Sequence, residues 1–437
     1  MLFRSGNIFD DLGLNPPSLA VQSFNYPSTN PLTSQLLNAF PTTFTPVNPN
    51  DPTGTVRTTG TVRRIPRIYE WNLTVEQQFS QHWLFRVGYV GTRSTNLFDH
   101  ESSNLNQPLL PLDTNFQNGN EGRPYFATRP GLNVVLPLDV ARLSMFYNAL
   151  QTSLEHRFSG GFNVLAAYTY AHSLGTADGN VNQCDIQNAH NVAAEKGPTT
   201  PDFRHQLVVS YVYELPYGKG KHFGSNANAV AQSVLGGWQV AGVTTVHSGE
   251  AFDVVMGSDL TNTGAFPPRP DMIHNPYDFN FAVATQAALG CSNPGHQTLD
   301  CWFNQAAFVA PPLASTPGNC GGQCSARDFG SAGRAILRGP DLANFDFSAY
   351  KTFQLSERFG LVFRAEFFNI FNHPNFNLPN VGSGGGSSGA GFVNFSCTSA
   401  APPTPTDCSG RSGGGAAITQ TLPDAQREIQ FGLKLQF

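Results

Sequence analysis

The sequence predicts an all-β chain: part of an antiparallel transmembrane β-barrel, about nine strands, with long loops on one side. Three observations predict it. Apolar and polar residues alternate with a period of two in nine segments. The connections between those segments are alternately short and long, and aromatic residues flank the short ones. Residues i, i+2 and i+4 of a strand share a face, so each segment offers one apolar and one mixed face. Each segment runs roughly 9–13 residues, a span that suits a tilted bilayer crossing.

Composition agrees. The chain has 437 residues, of which 13% are charged and 12% aromatic, with 35 Phe, 43 Gly and 32 Pro. So little charge and so many rings are unusual for a soluble domain. Mean hydropathy is −0.22, and no apolar run reaches the ~18 residues of a transmembrane helix. A strand-built membrane protein has mild hydropathy because only alternate residues face lipid. The formal net charge of −5 implies no general affinity for nucleic acid.

The strands follow in order. YEWNLTVEQQF places Tyr69, Trp71, Leu73, Val75 and Phe79 on one face, and WLFRVGYVG places Trp83, Phe85, Val87 and Tyr89 together. NALQTSLEHRF is weaker, with Leu150, Leu154 and Phe158. FNVLAAYTYAH gives Phe162, Val164, Ala166, Tyr168 and Tyr170, and HQLVVSYVYEL gives Leu207, Val209, Tyr211, Tyr213 and Leu215. GWQVAGVTTVH gives Trp238, Val240, Gly242, Thr244 and Val246. NFDFSAYKTF gives Phe345, Phe347, Ala349 and Phe353, and GLVFRAEFFNIF gives Leu361, Phe363, Ala365 and Phe367. The last, REIQFGLKLQF, alternates Ile429, Phe431, Leu433, Leu435 and Phe437 up to the carboxylate. Chain ends are usually frayed and polar, so a strand that finishes flush with the terminus is needed there.

Short turns follow the first, third and seventh segments (SQH, SGG, QLSER), and PYGKGKHFGSNANAVAQSVLGG makes a moderate link after the fifth. The remaining links, about 92–144, 175–204, 248–342 and 372–427, are long and rich in Gly, Pro, Asn and Ser. Soluble domains rarely carry so many long irregular loops. Bacterial outer-membrane barrels pair short periplasmic turns with long extracellular loops. Phe79 and Trp83, Phe158 and Phe162, and Phe353 and Phe359 bracket the short turns, with Phe437 at the same level. Aromatics favour strands anyway, but clustering at one height reads as an interfacial girdle. Gln77 and Lys351 are exceptions on the lipid face; each sits two residues from a girdle ring, from which a polar side chain reaches water. A Lys there costs ~0–1 kcal/mol. Asp346, Arg364 and Glu366 fall mid-strand on the lumen side, as a solvated or salt-bridged interior.

Seven cysteines occur, Cys184, Cys291, Cys301, Cys320, Cys324, Cys397 and Cys408, none in an expected strand. Their confinement to the outer loops suits loop disulfides in an oxidising compartment, with Cys291, Cys301, Cys320, Cys324, Cys397 and Cys408 as candidates and the pairing open. Cys320 and Cys324 in CGGQC resemble half a zinc site, but no second pair or His follows at ligand spacing; a disulfide is the preferred reading. No metal or cofactor is expected. There is no H-E-x-x-H or Walker loop, and YGKGKHFG lacks the P-loop spacing. It reads as a basic periplasmic turn. His247, Ser248 and Glu250 in HSGE are a weak triad candidate, because strand neighbours point to opposite faces. The sequon NLT lies within a strand and is discounted; NFS also matches. No enzyme is expected.

RIYEWNLTVEQQF, FRVGYVGTRSTNL, DFRHQLVVSYVYELPYGKGKHFG, GGWQVAGVTTVHSGEAFDV, FGSAGRAILRGPDLANFDFSAYKTF and FRAEFFNIFNHPNFNLPN, in this order, resemble the C-terminal barrel of Oar-like TonB-dependent outer-membrane proteins. The resemblance covers about 63–437, and no single phrase carries it alone. It implies a 22-stranded barrel, an N-terminal plug, a box that contacts the energy transducer TonB, and often a carboxypeptidase-regulatory-like domain ahead of the plug. It also makes Phe431, Leu433, Leu435 and Phe437 look like the signal read by the outer-membrane assembly machinery. The front departs from that pattern: MLFRSGNIFDDLGLNPPSLA is no signal peptide, and neither plug nor TonB box is seen. The expectation is the C-terminal part of a larger barrel, with 1–62 an outer loop or irregular segment and 63–437 the barrel portion. The function expected is energised uptake of a bulky nutrient across the outer membrane, with lipid, the assembly machinery and TonB as partners. The alternative is a surface structural or adhesion protein displaying its loops. A soluble propeller would need repeats of ~40–50 residues, which are not seen.

Overall fold

The computed structural model describes residues 54–59, 64–99, 103–110, 119–176, 186–199, 201–257, 260–261, 263, 268–312, 327–356, 358–379, 391–398, 407–423 and 425–437. Nine long strands follow one another through its main sheet: β1 (Arg67–Gln78), β2 (Trp83–Asp99), β3 (Val140–Ser159), β4 (Phe162–Gly175), β5 (His205–Glu214), β6 (Trp238–His247), β7 (Leu342–Gln354), β8 (Gly360–Phe368) and β9 (Glu428–Gln436). Each pairs antiparallel with the next, and a tenth, two-residue strand, Gly197–Pro198, extends β4 at its loop end. These are the nine segments expected from the alternation.

Register turns nine amphipathic ribbons into two continuous faces. Residues directly opposite in a ladder share a face. Leu73 faces Tyr89, Tyr89 faces Leu150, and Leu150 faces Tyr170. At the other side, Ala349 faces Val240 and Ala365, and Ala365 faces Phe431. Every apolar set read from the sequence lands on that one face. Two glycines let rings lie flat on it: a Cβ on Gly91 would strike the Trp71 indole at 2.3 Å, and one on Gly242 would strike the Tyr211 ring at 2.6 Å. The opposite face is polar. Arg86 pairs with Glu76, Lys221 donates to Glu214 at 2.7 Å, and Arg364 lies 3.5 Å from Glu366. Asp346 accepts from Asn344 and from the Asn369 N–H, both at 3.0 Å. Of the residues expected to be solvated or salt-bridged there, Arg364 and Glu366 form an ion pair, whereas Asp346 is bonded to amide groups.

The short turns share one end. Ser80 Oγ accepts from the N–H groups of His82 and Trp83, and Ser356 Oγ accepts from those of Arg358 and Phe359. Two unrelated turns thus close by the same hydroxyl device. Between β3 and β4 the loop is Gly160-Gly161, with φ of +61° and +82°. Positive φ at both central residues marks the hairpin turn whose twist matches its strands.

The other end departs from expectation. Strands β2 and β3 run to 17 and 20 residues, well past the alternating stretch, with register irregularities beyond Ser94. The ladder hydrogen bonds continue where nothing imposes alternation. Among their described residues, the long loops contain ordered elements. They hold the hydrophobic core, in which Phe252, Val254, Phe303, Phe308, Leu337 and Val393 are buried together. Short strands lace them: Val254–Met256 with Gly391–Thr398 and Asp407–Ser412, and Asp271–Met272 with Phe308–Val309. Gly54–Thr58, within the described part (54–59) of the expected outer segment 1–62, pairs parallel with Leu132–Pro137 in the β2–β3 loop.

Candidate functional site

Two regions carry the features expected to matter: the apolar wall at the short-turn end, and the cap made by the loops. Along the wall, Trp83 packs against His156 with centroids 4.5 Å apart, His156 against Phe162 at 5.4 Å, and Phe162 against Tyr213 at 5.9 Å. His156 therefore completes a row whose other members, Trp83, Phe162 and Tyr213, the alternation already places on this face. Alternation signals apolar residues, so an imidazole in the row went unread. Phe79, Phe158 and Phe359 stand exposed beside the turns, and Phe353 pairs with Leu361. On β9, Phe431, Leu433 and Leu435 face Ala365, Phe363 and Leu361, with Phe431 and Phe363 stacked at 6.3 Å. Phe437 follows, 95% exposed.

Lys351 corrects an expectation. It was to reach water beside the girdle; it is 4% exposed. Its Nζ donates to the Ser233 carbonyl and lies 4.8 Å from the Phe353 ring. The β5–β6 link folds back over the wall and covers it, which a turn-by-turn reading of the sequence does not reveal. Within that link, the basic stretch Tyr217–Phe223 closes as a small loop at the short-turn end through a parallel bridge, with Gly218 N–H donating to Phe223 O at 2.9 Å.

The cap is held by buried charge. Arg269 makes a two-pronged pair with Glu195, at 2.7 and 3.0 Å, both side chains almost fully buried. Gln187 joins them: its side chain accepts from Arg269 N–H at 2.7 Å, and its own N–H donates to Glu195 at 3.2 Å. Gln107 donates to the Gln187 carbonyl at 2.9 Å. One network thus ties three outer loops together. Asp202 forms a second. It accepts from Ser173 N–H at 2.8 Å and from the Arg338 guanidinium, with Arg204 3.3 Å away. Burial alone would raise the Asp202 carboxyl; the bond from Arg338, the Ser173 N–H and the charges of Arg338 and Arg204 outweigh it and hold the group below the usual carboxylate range. A third joins Arg142 to Asp99 at 2.8 Å at the loop ends of β2 and β3. None of these pairings was read from the sequence. The available signal was that charges in loops of so lightly charged a chain are rare enough to be structural.

The cysteines divide. Cys291 and Cys301 form a disulfide within the cap, closing the turn after a short helix, Val283–Ala288. Cys397 and Cys408 correct the expectation that no cysteine lies in a strand. They sit on the paired strands Gly391–Thr398 and Asp407–Ser412, at the irregularity between the Ser396–Gly410 and Thr398–Asp407 pairs. Cys184, Cys320 and Cys324 lie outside the described residues. The HSGE stretch does not assemble a triad: Ser248 Oγ accepts from His205 N–H at 3.1 Å, and His247 Nδ1 contacts the Ser248 carbonyl at 3.0 Å. His247 instead packs at a tilt against Phe203, centroids 4.2 Å apart. It lines a cleft of about 190 Å3 with Glu250, Leu342, Phe376, Leu378 and Leu422, at the loop end of the sheet.

A family model described as an outer membrane beta barrel domain matches residues 2–421. Among solved structures, the chain is similar to the outer membrane transporter YddB from Escherichia coli, at 9% identity and a TM-score of 0.35, over 74% of this chain and 31% of that one. This chain thus spans about a third of that transporter's length. No curated protein matches significantly. With a match over almost its whole length, and an antiparallel sheet that is apolar on one face and polar on the other, the chain belongs to the outer membrane beta barrel domain family and is a protein of the outer membrane.

Proposed function

We propose that this wall and cap belong to a TonB-dependent receptor that takes up a bulky nutrient across the outer membrane, and that the protein catalyses no reaction. One observation carries the reading. The nine-strand sheet keeps a polar, ion-paired inner face, and its edge strands β1 and β9 are unpaired among the described residues. Small barrels fill their interior with side chains, whereas a wide, wet barrel of about 22 strands holds a plug. Moving a plug requires energy from outside the outer membrane, which has none of its own. On this reading TonB binds a region ahead of the wall. The assembly machinery reads the terminal Phe431, Leu433, Leu435 and Phe437, and lipid covers the apolar face. Nucleic acid is no partner, given the net charge of −5. A second reading, a surface protein that displays its loops, is favoured by the cap's own core, which presents a fixed surface.

Growth of two disruption strains across a panel of nutrients separates the readings. Loss of this gene and loss of TonB should impair growth on at least one shared bulky nutrient. A gene disruption that leaves every nutrient phenotype intact and lowers attachment to surfaces would overturn uptake in favour of display.

A further inference from the structure

The β5–β6 link, residues 215–237, is much longer than its neighbours at the short-turn end. It contains a helix, α1 (Ala229–Leu235), whose first turn is capped by Asn228, accepting from Ala231 N–H at 2.8 Å. The last carbonyls of a helix need outside donors. Here two come from the wall. Ser233 O accepts from Lys351 Nζ, and Val234 O accepts from Trp238 Nε1 at 2.8 Å. Lys351 and Trp238 are cross-strand partners on the apolar face. The helix is therefore pinned to the outside of the wall.

Its polarity is inverted for a helix in water. Gln232 turns inward and donates to the Gly224 carbonyl. Val230 and Val234, one turn apart, turn away from the protein and are 72% and 56% exposed, with Leu235 and Phe223 exposed beside them. Val230 and Val234 outside with Gln232 inside follow the pattern of the wall, although Ser233 is exposed as well, and the helix continues that face toward the turn level.

We propose that the β5–β6 link is an interfacial foot: α1 lies in the inner leaflet of the outer membrane, with Val230, Val234 and Leu235 among acyl chains. The exposed Lys219 of the adjoining loop complements phospholipid phosphates, and Lys351 anchors the foot to the wall. The occupant is phospholipid. Continuity with the lipid-covered face argues for it, and the exposed Lys219 matches its charge.

The test places p-benzoylphenylalanine at Val234 of the full-length protein in its own outer membrane, with Leu154 on the apolar face of β3 as the wall reference. Irradiation should give a phospholipid adduct at both positions, read by mass spectrometry. An adduct to a periplasmic protein at Val234, or a lipid adduct at Leu154 with none at Val234, overturns the foot. No lipid adduct at either position overturns the lipid-facing assignment of the wall as well. Lys351→Met should lower the Val234 lipid adduct severalfold and leave that at Leu154 unchanged. An unchanged Val234 adduct would remove Lys351 as the anchor.

Discussion

Lys351 stands where the alternation of Phe345, Phe347, Ala349 and Phe353 calls for an apolar side chain. It is tolerated because its ammonium donates to a helix-terminal carbonyl and rests against aromatic faces, not because it escapes to water. Leu433 and Lys434 show the same logic at neighbouring positions. Leu433 faces Phe363 on the apolar side, whereas Lys434 faces Val362 on the other. Leu433→Arg should destabilise the assembled barrel by ~2–4 kcal/mol, the cost of a lipid-facing cation near the midplane. Lys434→Gln should change it by less than ~0.5 kcal/mol. Urea titrations of the full-length protein in lipid vesicles measure both, and equal effects would contradict the assigned faces. In the cap, Asp202 predicts the response to acid. Its carboxyl is depressed in the fold, so its contribution is fully present above the unfolded-state value of ~3.9 and is lost as pH falls below it through the lower folded value. Protease sensitivity of the outer loops should therefore rise on acidification below about pH 4. Asp202→Asn should weaken the cap by ~1.5–3 kcal/mol at neutral pH and remove that acid-dependent component. An identical pH profile in the variant would place the acid transition elsewhere.

At the scale of elements, the β3–β4 hairpin offers a clean contrast. Both of its glycines have positive φ, but a Cβ on Gly160 meets nothing, whereas one on Gly161 would lie 3.1 Å from Glu214 Cβ. Gly160→Ala should cost ~1–2 kcal/mol, the left-handed penalty alone, and Gly160→Asn less, because Asn suits this turn. Gly161→Ala should cost more than Gly160→Ala. Denaturant midpoints of the four proteins give the ranking directly, and an inverted order would reject this turn geometry. The strands were legible because lipid on one side and water on the other force a period of two, and that period is local. Their full lengths were not: β3, the weakest pattern with only Leu150, Leu154 and Phe158, is the longest strand. Beyond the bilayer the ladder persists without any apolar stripe to announce it. The cap core was illegible for a different reason. Phe252, Phe303, Leu337 and Val393 come together from separate stretches of loop, and nothing in the spacing around any one of them names its partners. The Glu195–Arg269 pair spans 74 residues in the same way.

For the whole molecule, strand direction constrains how the barrel closes. Strand β1 runs from the loop end toward the short turns, and so does β9, because an odd number of strands in an antiparallel meander brings the last back to the direction of the first. Joining β1 directly to β9 would create a parallel seam in a sheet whose every other long pairing is antiparallel. Single-chain bacterial barrels have even strand counts. Leaving both edges unpaired in hydrocarbon costs several kcal/mol for each bare N–H or C=O. An odd number of additional strands between β1 and β9 satisfies both demands. Cysteines at Asn72 and Gln430, one on each edge strand and both on the polar face, read this out in the full-length protein within its membrane. Oxidation should leave them uncrosslinked, while cysteines at Asn72 and Val90, which face each other across β1 and β2, should crosslink readily. Efficient crosslinking of 72 to 430 within one chain would mean that nine strands close on themselves with a parallel seam. The lumen would then be too narrow for a plug, which excludes plug-gated, energised uptake through this barrel.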